Sequence, residues 1–333
     1  MKKVIGIGNA LTDILVNLPT DDILKDFGLP KGSMSLVDTD LQYKISENTA
    51  GMPRTMSLGG SAGNTIRAMA KLGIPTGFIG KVGNDDTGDF LIAALDNLGI
   101  RPVIFRGSNP SGVCISLVSR DGERTMATHL GAALELEPEE IKDTMFEGYD
   151  CLYVEGYLVQ NHNLIERAVS KAKKKGLKVA IDLASYNVVA DNRAFLHELT
   201  DAFIDIVFAN EYEAHAFTGE TNPVKALDMI ADITELAVVK VGREGAYIRQ
   251  GREFLHVGIM SEACRVDTTG AGDFYAAGFL AGMCEELPLR KCGTLGSIAA
   301  GKVIEVVGTT FGEDVWSDIS RLADNVRRDR YLF

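Results

Sequence analysis

The sequence predicts an α/β fold: a mainly parallel β-sheet with helices on both faces, plus a small β-lid. Three observations predict it. Short apolar runs alternate with helical patterns through most of the 333 residues; two stretches break that alternation with short strand-like pieces; the last third is mostly helical. A βαβα order buries its apolar runs as parallel strands covered by crossover helices on both sides.

The elements follow in chain order. Val4 to Gly8 is a short apolar run of the buried-strand kind. Ala62 to Leu72 is helical, with Ile66, Met69, Ala70 and Leu72 on its apolar side and Gly73 ending it. Thr76 to Val82 reads as a strand and Thr87 to Leu98 as a helix. The order repeats with strand Cys151 to Glu155, helix His162 to Lys175 and strand Lys178 to Leu183. Strands Ile206 to Ala209 and Leu236 to Val241 follow, with helical stretches between. Helices Ala271 to Glu286, Leu289 to Val306 and Glu313 to Arg328 complete the chain. Residues 14–58 hold short alternating pieces such as Met34 to Asp38. Residues 111–130 read as a hairpin: Val113 to Ser119, the turn Asp121-Gly122, then Arg124 to His129. The expected division is a main α/β part over 1–13, 59–110 and 131–333, with 14–58 and 111–130 as the lid.

Lys plus Arg number 34 and Asp plus Glu 46, for a formal charge of −12. No basic stripe is visible, so nucleic acid is not an expected partner. The run Lys171, Lys173, Lys174 and Lys175 precedes Gly176 at a helix end, where cations suit the helix dipole. An anionic substrate would have to be drawn in by local charge, against the global field. Cys114, Cys151, Cys264, Cys284 and Cys292 are odd in number and form no C-x-x-C pair. They read as buried free thiols in a reducing cytoplasm rather than disulfides or a zinc site. The first residues lack the long apolar core of a signal peptide, and no run approaches a membrane span.

Three glycine-rich segments compete as phosphate sites. Gly6-Ile7-Gly8 starts like a dinucleotide fingerprint, but Leu11 stands at the third glycine position and strand-like residues follow. The fingerprint needs a helix N-terminus there, which excludes it. Gly296 to Val303 nearly matches a P-loop, yet Val303 replaces the magnesium-holding Ser or Thr and the segment reads as mid-helix. Asp267-Thr268-Thr269-Gly270-Ala271-Gly272-Asp273 is stronger, because small residues open directly into a helix. Bare N–H groups at such a start make an anion site. Asp273 in the first turn could serve as a general base, or simply complement the helix dipole in an ordinary capped turn. A second turn, Gly59-Gly60-Ser61-Ala62-Gly63-Asn64, could hold a hydroxyl-rich ligand, or could be a helix start capped by Ser61.

Together these last two segments resemble the two signatures of the ribokinase-like (PfkB) family of carbohydrate kinases. Asp267 to Asp273 is similar to its D-T-x-G-A-G-D motif. Gly8 to Asp13, Gly80 to Asp85, Asn210-Glu211-Tyr212-Glu213 and Val241 to Ala246 resemble further family pieces in the right order. The resemblance implies a ribokinase-like fold and transfer of the γ-phosphoryl group of ATP to a primary hydroxyl of a sugar or nucleoside. It makes Asp273 the general base and the N–H groups of Gly270, Ala271 and Gly272 the anion hole. Asp13, Gly59, Gly60, Asn64 and Glu155 would bind the acceptor; Arg124 on the hairpin could reach over the bound substrate or its phosphate, or be an exposed surface arginine. Asn210, Lys240, Gly242 and Gly245 would bind ATP, with Glu213 organising Mg2+ through water. Asp267, Thr269 and carbonyls near Gly308 would form a monovalent-cation site for K+. Lys240 stands where many members carry Thr, and Asp182 where several have Asn; each could serve the nucleotide and magnesium or be an ordinary strand-end charge.

Asp13 and Gly59 stand 46 positions apart, a spacing that looks like the adenosine-kinase branch. Lys31 to Met34 and Glu123 to Met126 suggest the same branch. Met34, Leu36 and Met126 could sandwich a base or form lid core. Beside adenosine kinase, the alternatives are a non-catalytic sugar- or nucleoside-binding regulator and, opposed by the missing third glycine, a nicotinamide oxidoreductase. A monomer or homodimer is expected.

Overall fold

The computed structural model describes residues 1–260 and 263–330. Its strands, in chain order, are β1 (Val4–Ile7), β2 (Leu11–Asn17), β3 (Met34–Leu36), β4 (Arg54–Gly59), β5 (Thr76–Val82), β6 (Arg101–Arg106) and β7 (Gly112–Val118). They continue with β8 (Arg124–His129), β9 (Cys151–Glu155), β10 (Lys178–Asp182), β11 (Ile206–Asn210), β12 (Leu236–Lys240), β13 (Ala246–Gln250) and β14 (Glu253–Val257). Nine form one sheet in the order β14-β13-β12-β11-β10-β9-β1-β5-β6; the other five form a second sheet, β3-β8-β7-β2-β4. In the large sheet β6 through β12 run parallel, and β13 and β14 form an antiparallel edge.

Both faces of the large sheet are covered, as its unbroken apolar runs require. Tyr153, Phe208 and Val238 point into one core, with the Ser61–Lys71, Ala271–Cys284, Leu289–Val303 and Glu313–Arg327 helices. Their neighbours Leu152, Val154, Val207, Ala209, Ala237 and Val239 point into the other, with the His162–Lys174, Arg193–Phe203, Glu211–Thr218 and Pro223–Ala231 helices. This is the period-2 alternation of a strand. The near-P-loop segment is indeed mid-helix, within Leu289–Val303. Its small residues serve close packing: a Cβ on Gly296 would lie 2.9 Å from the Tyr275 carbonyl oxygen on the neighbouring helix.

The small sheet is covered on one face only. Ile14, Val16, Val113, Ile115, Leu117 and Ala127 pack with Leu24 and Ile45 from two short helices, Asp22–Asp26 and Thr39–Asn48. The second helix replaces the short alternating pieces expected there; Asp38 caps it by accepting from the Leu41 N–H at 2.8 Å. The small sheet also extends past the expected limits, because β2 begins at Leu11 and β4 ends at Gly59, paired Leu11 to Gly59. Asp13 therefore sits on a strand of the small sheet, since the chain stays extended through Ala10 into it.

The lysine run lies at the helix end as expected, and Lys171, Lys173 and Lys175 pair with Asp143, Asp205 and Glu147. Four cysteines are buried, but Cys264 is exposed in the loop before Asp267. Among the described residues no helix is long and apolar enough to cross a membrane.

Candidate active site

A cleft of 1190 Å³ runs between the open face of the small sheet and the carboxyl edge of the large one. Carboxyl edges are where open α/β sheets place ligands. Register explains what gathers there. Glu155 pairs with Asp182 across β9 and β10, and Asn210 with Lys240 across β11 and β12, so four strand ends deliver four polar groups. All the expected site residues line this cleft except Gly59, Asp267 and Gly308.

The helix Ala271–Cys284 opens on Gly270, whose φ of 74° lies in the left-handed region that glycine tolerates. The N–H groups of Gly270, Gly272 and Asp273 donate no hydrogen bond among the described residues. The Ala271 N–H differs from expectation, since it closes a turn onto the Thr268 carbonyl at 3.2 Å. Asp273 stands in the first turn. Its Oδ1 accepts from the Ser61 hydroxyl at 2.7 Å and its Oδ2 from the Asn64 amide at 3.0 Å. Burial outweighs these bonds and pushes its carboxyl up to about 7. Ser61 is therefore not a helix cap. Gly60, with φ 77°, holds the cap position, and a Cβ there would lie 2.5 Å from the Asn9 carbonyl oxygen.

Asn64 is committed to the protein rather than left free. Its Oδ1 accepts from Arg67 and from the Thr309 hydroxyl, both at 3.1 Å. Arg67, which the sequence reading missed, also donates to the carbonyls of Leu58 and Thr309. It ties the end of β4 to the loop after the Leu289–Val303 helix; burial brings its guanidinium down to about 10. The only signal in the sequence is its i+3 spacing from Asn64. Glu155 is likewise inward-directed. Its carboxylate accepts from the Asn9 amide side chain at 2.7 Å and the Ala62 N–H at 2.9 Å, fixing the turn and helix start that floor the cleft.

Asp13 is the contrast. Among the described residues its carboxylate takes no hydrogen bond, and it lies so close to Gly59 that a Cβ there would collide with it. Burial raises its pKa, opposed by the charges of Arg124 and Arg67. Such a carboxylate is a ready acceptor for ligand hydroxyls.

At the other end, Lys240 Nζ pairs with Asp182 Oδ2 at 2.7 Å, both nearly buried. Burial lowers the Lys240 pKa, but Asp182 and Glu213 outweigh it and hold the ammonium charged. A Cβ on Gly272 would lie 3.0 Å from Lys240 Nζ, so this positive charge borders the helix start. Asn210 and Glu213 form a capping box: the Asn210 side chain accepts from the Glu213 N–H at 2.9 Å, and Glu213 accepts from the Asn210 N–H at 2.7 Å. Burial, then Asp182, pushes Glu213 up to about 7. Gly242 and Gly245 lie at the cleft wall with φ of 55° and 94°.

The arrangement is a free-amide helix start, a carboxyl poised near neutrality beside it, and a lysine on its rim. That set can deprotonate a hydroxyl and stabilise charge on a transferring anion.

Residues 33–316 match the model of the pfkB family carbohydrate kinases. Among curated proteins, the 5-dehydro-2-deoxygluconokinase of Geobacillus thermodenitrificans is 29% identical, covering 84% of this chain and 87% of its own. The Escherichia coli guanosine-inosine kinase is 26% identical over 74% of this chain and 59% of its own. Among solved structures, the adenosine kinase from Sinorhizobium meliloti superposes with a TM-score of 0.84 at 34% identity, covering 96% of this chain and 99% of that one. A probable sugar kinase from Rhizobium etli gives 0.85 at 31%, covering 96% and 98%. With its ribokinase-like sheet and its signature residues gathered in one cleft, the chain belongs to the pfkB family of carbohydrate kinases.

Proposed function

We propose that this protein is an ATP-dependent nucleoside kinase. It transfers the γ-phosphoryl group to the primary hydroxyl of a purine nucleoside, of which adenosine is the leading candidate. The observation that carries the choice is the two-sided acceptor end of the cleft. Asp13, whose carboxylate takes no hydrogen bond among the described residues, faces ring hydroxyls, while Met34, Leu36, Met126 and Leu134 present apolar groups to the same space. Leu36 is 63% and Leu134 59% exposed, so these side chains are not lid core. Burying them against a ligand is favourable only if the ligand has an apolar face, which a base has and a free sugar lacks. The likeness to the Sinorhizobium meliloti adenosine kinase supports the same reading.

In this reading the nucleoside lies with its sugar on Asp13 and its base under the lid. Its primary hydroxyl faces Asp273. Asp273 accepts the proton as the oxygen attacks, and Ser61 and Asn64 hold the carboxylate in place. The amides of Gly270 and Gly272 receive charge on the transferring group, and Lys240 adds a positive charge at the rim. Closure over the cleft excludes water as a competing acceptor. Among the described residues no three metal-ligating side chains converge, yet Asp182 and Glu213 outnumber the charge on Lys240. Asp182 and Glu213 would be the residues to hold a hydrated Mg2+. When bound, the ion neutralises phosphate charge.

The test is phosphoryl transfer from ATP to adenosine, inosine, guanosine, ribose, fructose and 2-keto-3-deoxygluconate. A purine nucleoside should exceed every free sugar in kcat/KM by about 100-fold, the worth of one buried base. Preference for a free sugar would replace the nucleoside reading with a sugar kinase. Binding without turnover of any acceptor would favour a regulator.

A further inference from the structure

The expected monovalent-cation site does not fit the residues that would form it. The Asp267 carboxylate is already filled. Its Oδ1 accepts from the Thr269 N–H at 2.9 Å and hydroxyl at 2.8 Å; its Oδ2 accepts from the Gly308 N–H at 2.9 Å and from Arg124 at 3.1 Å. Two carboxylate oxygens offer about four acceptor positions, so none remains for a metal. Gly308 contributes its N–H to the carboxylate, where the expectation was carbonyl oxygens. A fixed positive charge is already present, and it is shielded: the Arg124 and Asp267 side chains are 8% and 15% exposed.

Arg124 arrives from far away in sequence. It lies on β8, on the face of the small sheet that looks into the cleft, whereas Asp267 begins the turn leading to Gly270. The pair therefore joins the lid to the loop that presents the catalytic amides. We propose that Arg124 does in this protein the work expected of a monovalent ion. Its guanidinium neutralises Asp267, orders the turn from Asp267 to Gly270, and so sets the Gly270 and Gly272 amides for the transferring group. Because the cation is borne by the lid, the anion hole is complete only when the lid is down. Arg124 acts on that group through Asp267 and is a positioning residue for it. The inference rests on the phosphoryl-transfer reading above.

The experiment has two arms. In the first, KCl is exchanged for NaCl or choline chloride at constant ionic strength. Turnover of the unaltered protein should change by less than about two-fold, since the charge is built in. Its thermal midpoint should show no shift specific to K+, a readout that needs no turnover and stands even if no acceptor is found. In the second arm, Arg124→Ala should lower kcat by about 100-fold, the usual cost of disabling an anion-hole donor. Guanidinium ion at tens of millimolar should restore part of it, and Arg124→Lys should fall between, having charge without the planar fork. The thermal midpoint of Arg124→Ala should gain a cation-dependent rise that the unaltered protein lacks. Stimulation of the unaltered protein tenfold or more by K+ over choline would overturn the proposal. So would an Arg124→Ala variant with unchanged kcat and only a raised acceptor KM, which would make Arg124 a simple substrate contact.

Discussion

The two sheets are built from similar residues but use their faces differently. In the large sheet every residue of β9 is buried and both faces carry helices, so side chains along this central strand pack. Chemistry is confined to the strand ends, where Glu155, Asp182, Asn210 and Lys240 emerge into the cleft. In the small sheet one face packs and the other is open. There the chemistry runs along the strands: Asp13 alternates with Ile14, and Arg124 and Met126 alternate with Thr125 and Ala127. Substitutions in the covered sheet should therefore be felt as stability, and those on the open face as binding.

Phe208→Ala should test the covered sheet most severely. Phe208 is fully buried and meets Phe279 edge-on at a centroid distance of 5.5 Å. Its truncation should cost about 3–5 kcal/mol in chemical denaturation, through lost contacts and the cavity left behind. Lys240→Met probes a strand end, where stability and binding meet. Removing one partner of a nearly buried ion pair costs about 3–5 kcal/mol. Here Asp182 is also left beside the phosphate site, so the KM for ATP should rise as well. A variant with normal stability and normal KM for ATP would show that the pair is neither structural nor a nucleotide contact. Leu36→Ala belongs to the open face. Its stability should stay within about 0.5 kcal/mol of the parent, as for an exposed residue. The nucleoside KM should rise by up to about tenfold while the KM for ATP holds, the share of a leucine's burial that the base provides.

Acidity offers a gentler probe of the same cleft. Asp273 must be ionised to accept a proton and its carboxyl sits at about 7, so kcat/KM should rise with pH through about 7 and then level off. Glu213 is raised to about 7 as well, and an acid limb that survives in Glu213→Gln belongs to Asp273. The sign for stability is the reverse. A carboxyl whose folded pKa lies above its unfolded value near 4 costs stability when ionised; that cost is full above about pH 7 and is relieved as pH falls toward 4.

Much of the large sheet was legible in the sequence because burial on both faces leaves unbroken apolar runs. Thr76–Val82 and Cys151–Glu155 end where those runs end. The helix start at Gly270 was legible because its backbone demands small residues in a fixed order. The Thr39–Asn48 helix was not, since its sequence is mostly polar and its one clear signal is the Asp38 cap. Pairings that depend on strand order were also invisible. Asp182 and Lys240 stand on strands separated by β11, about 10 Å apart, a distance spanned by the long lysine side chain. Arg124 and Asp267 meet only because the second sheet folds over the first. The committed state of Asn64 and Glu155 was hidden for the same reason, since their partners Asp273 and Asn9 come from other parts of the chain.

In the proposed reaction Asp273 takes the proton at the helix start. Asp273→Asn keeps the side-chain shape and removes the base, so turnover and nucleotide affinity measured on one preparation separate chemistry from binding. The kcat of Asp273→Asn should fall by about 10³-fold, within the range for loss of a general base, with the calorimetric Kd for ATP changed by less than about three-fold. Turnover within a few-fold of the unaltered protein would remove Asp273 as the base.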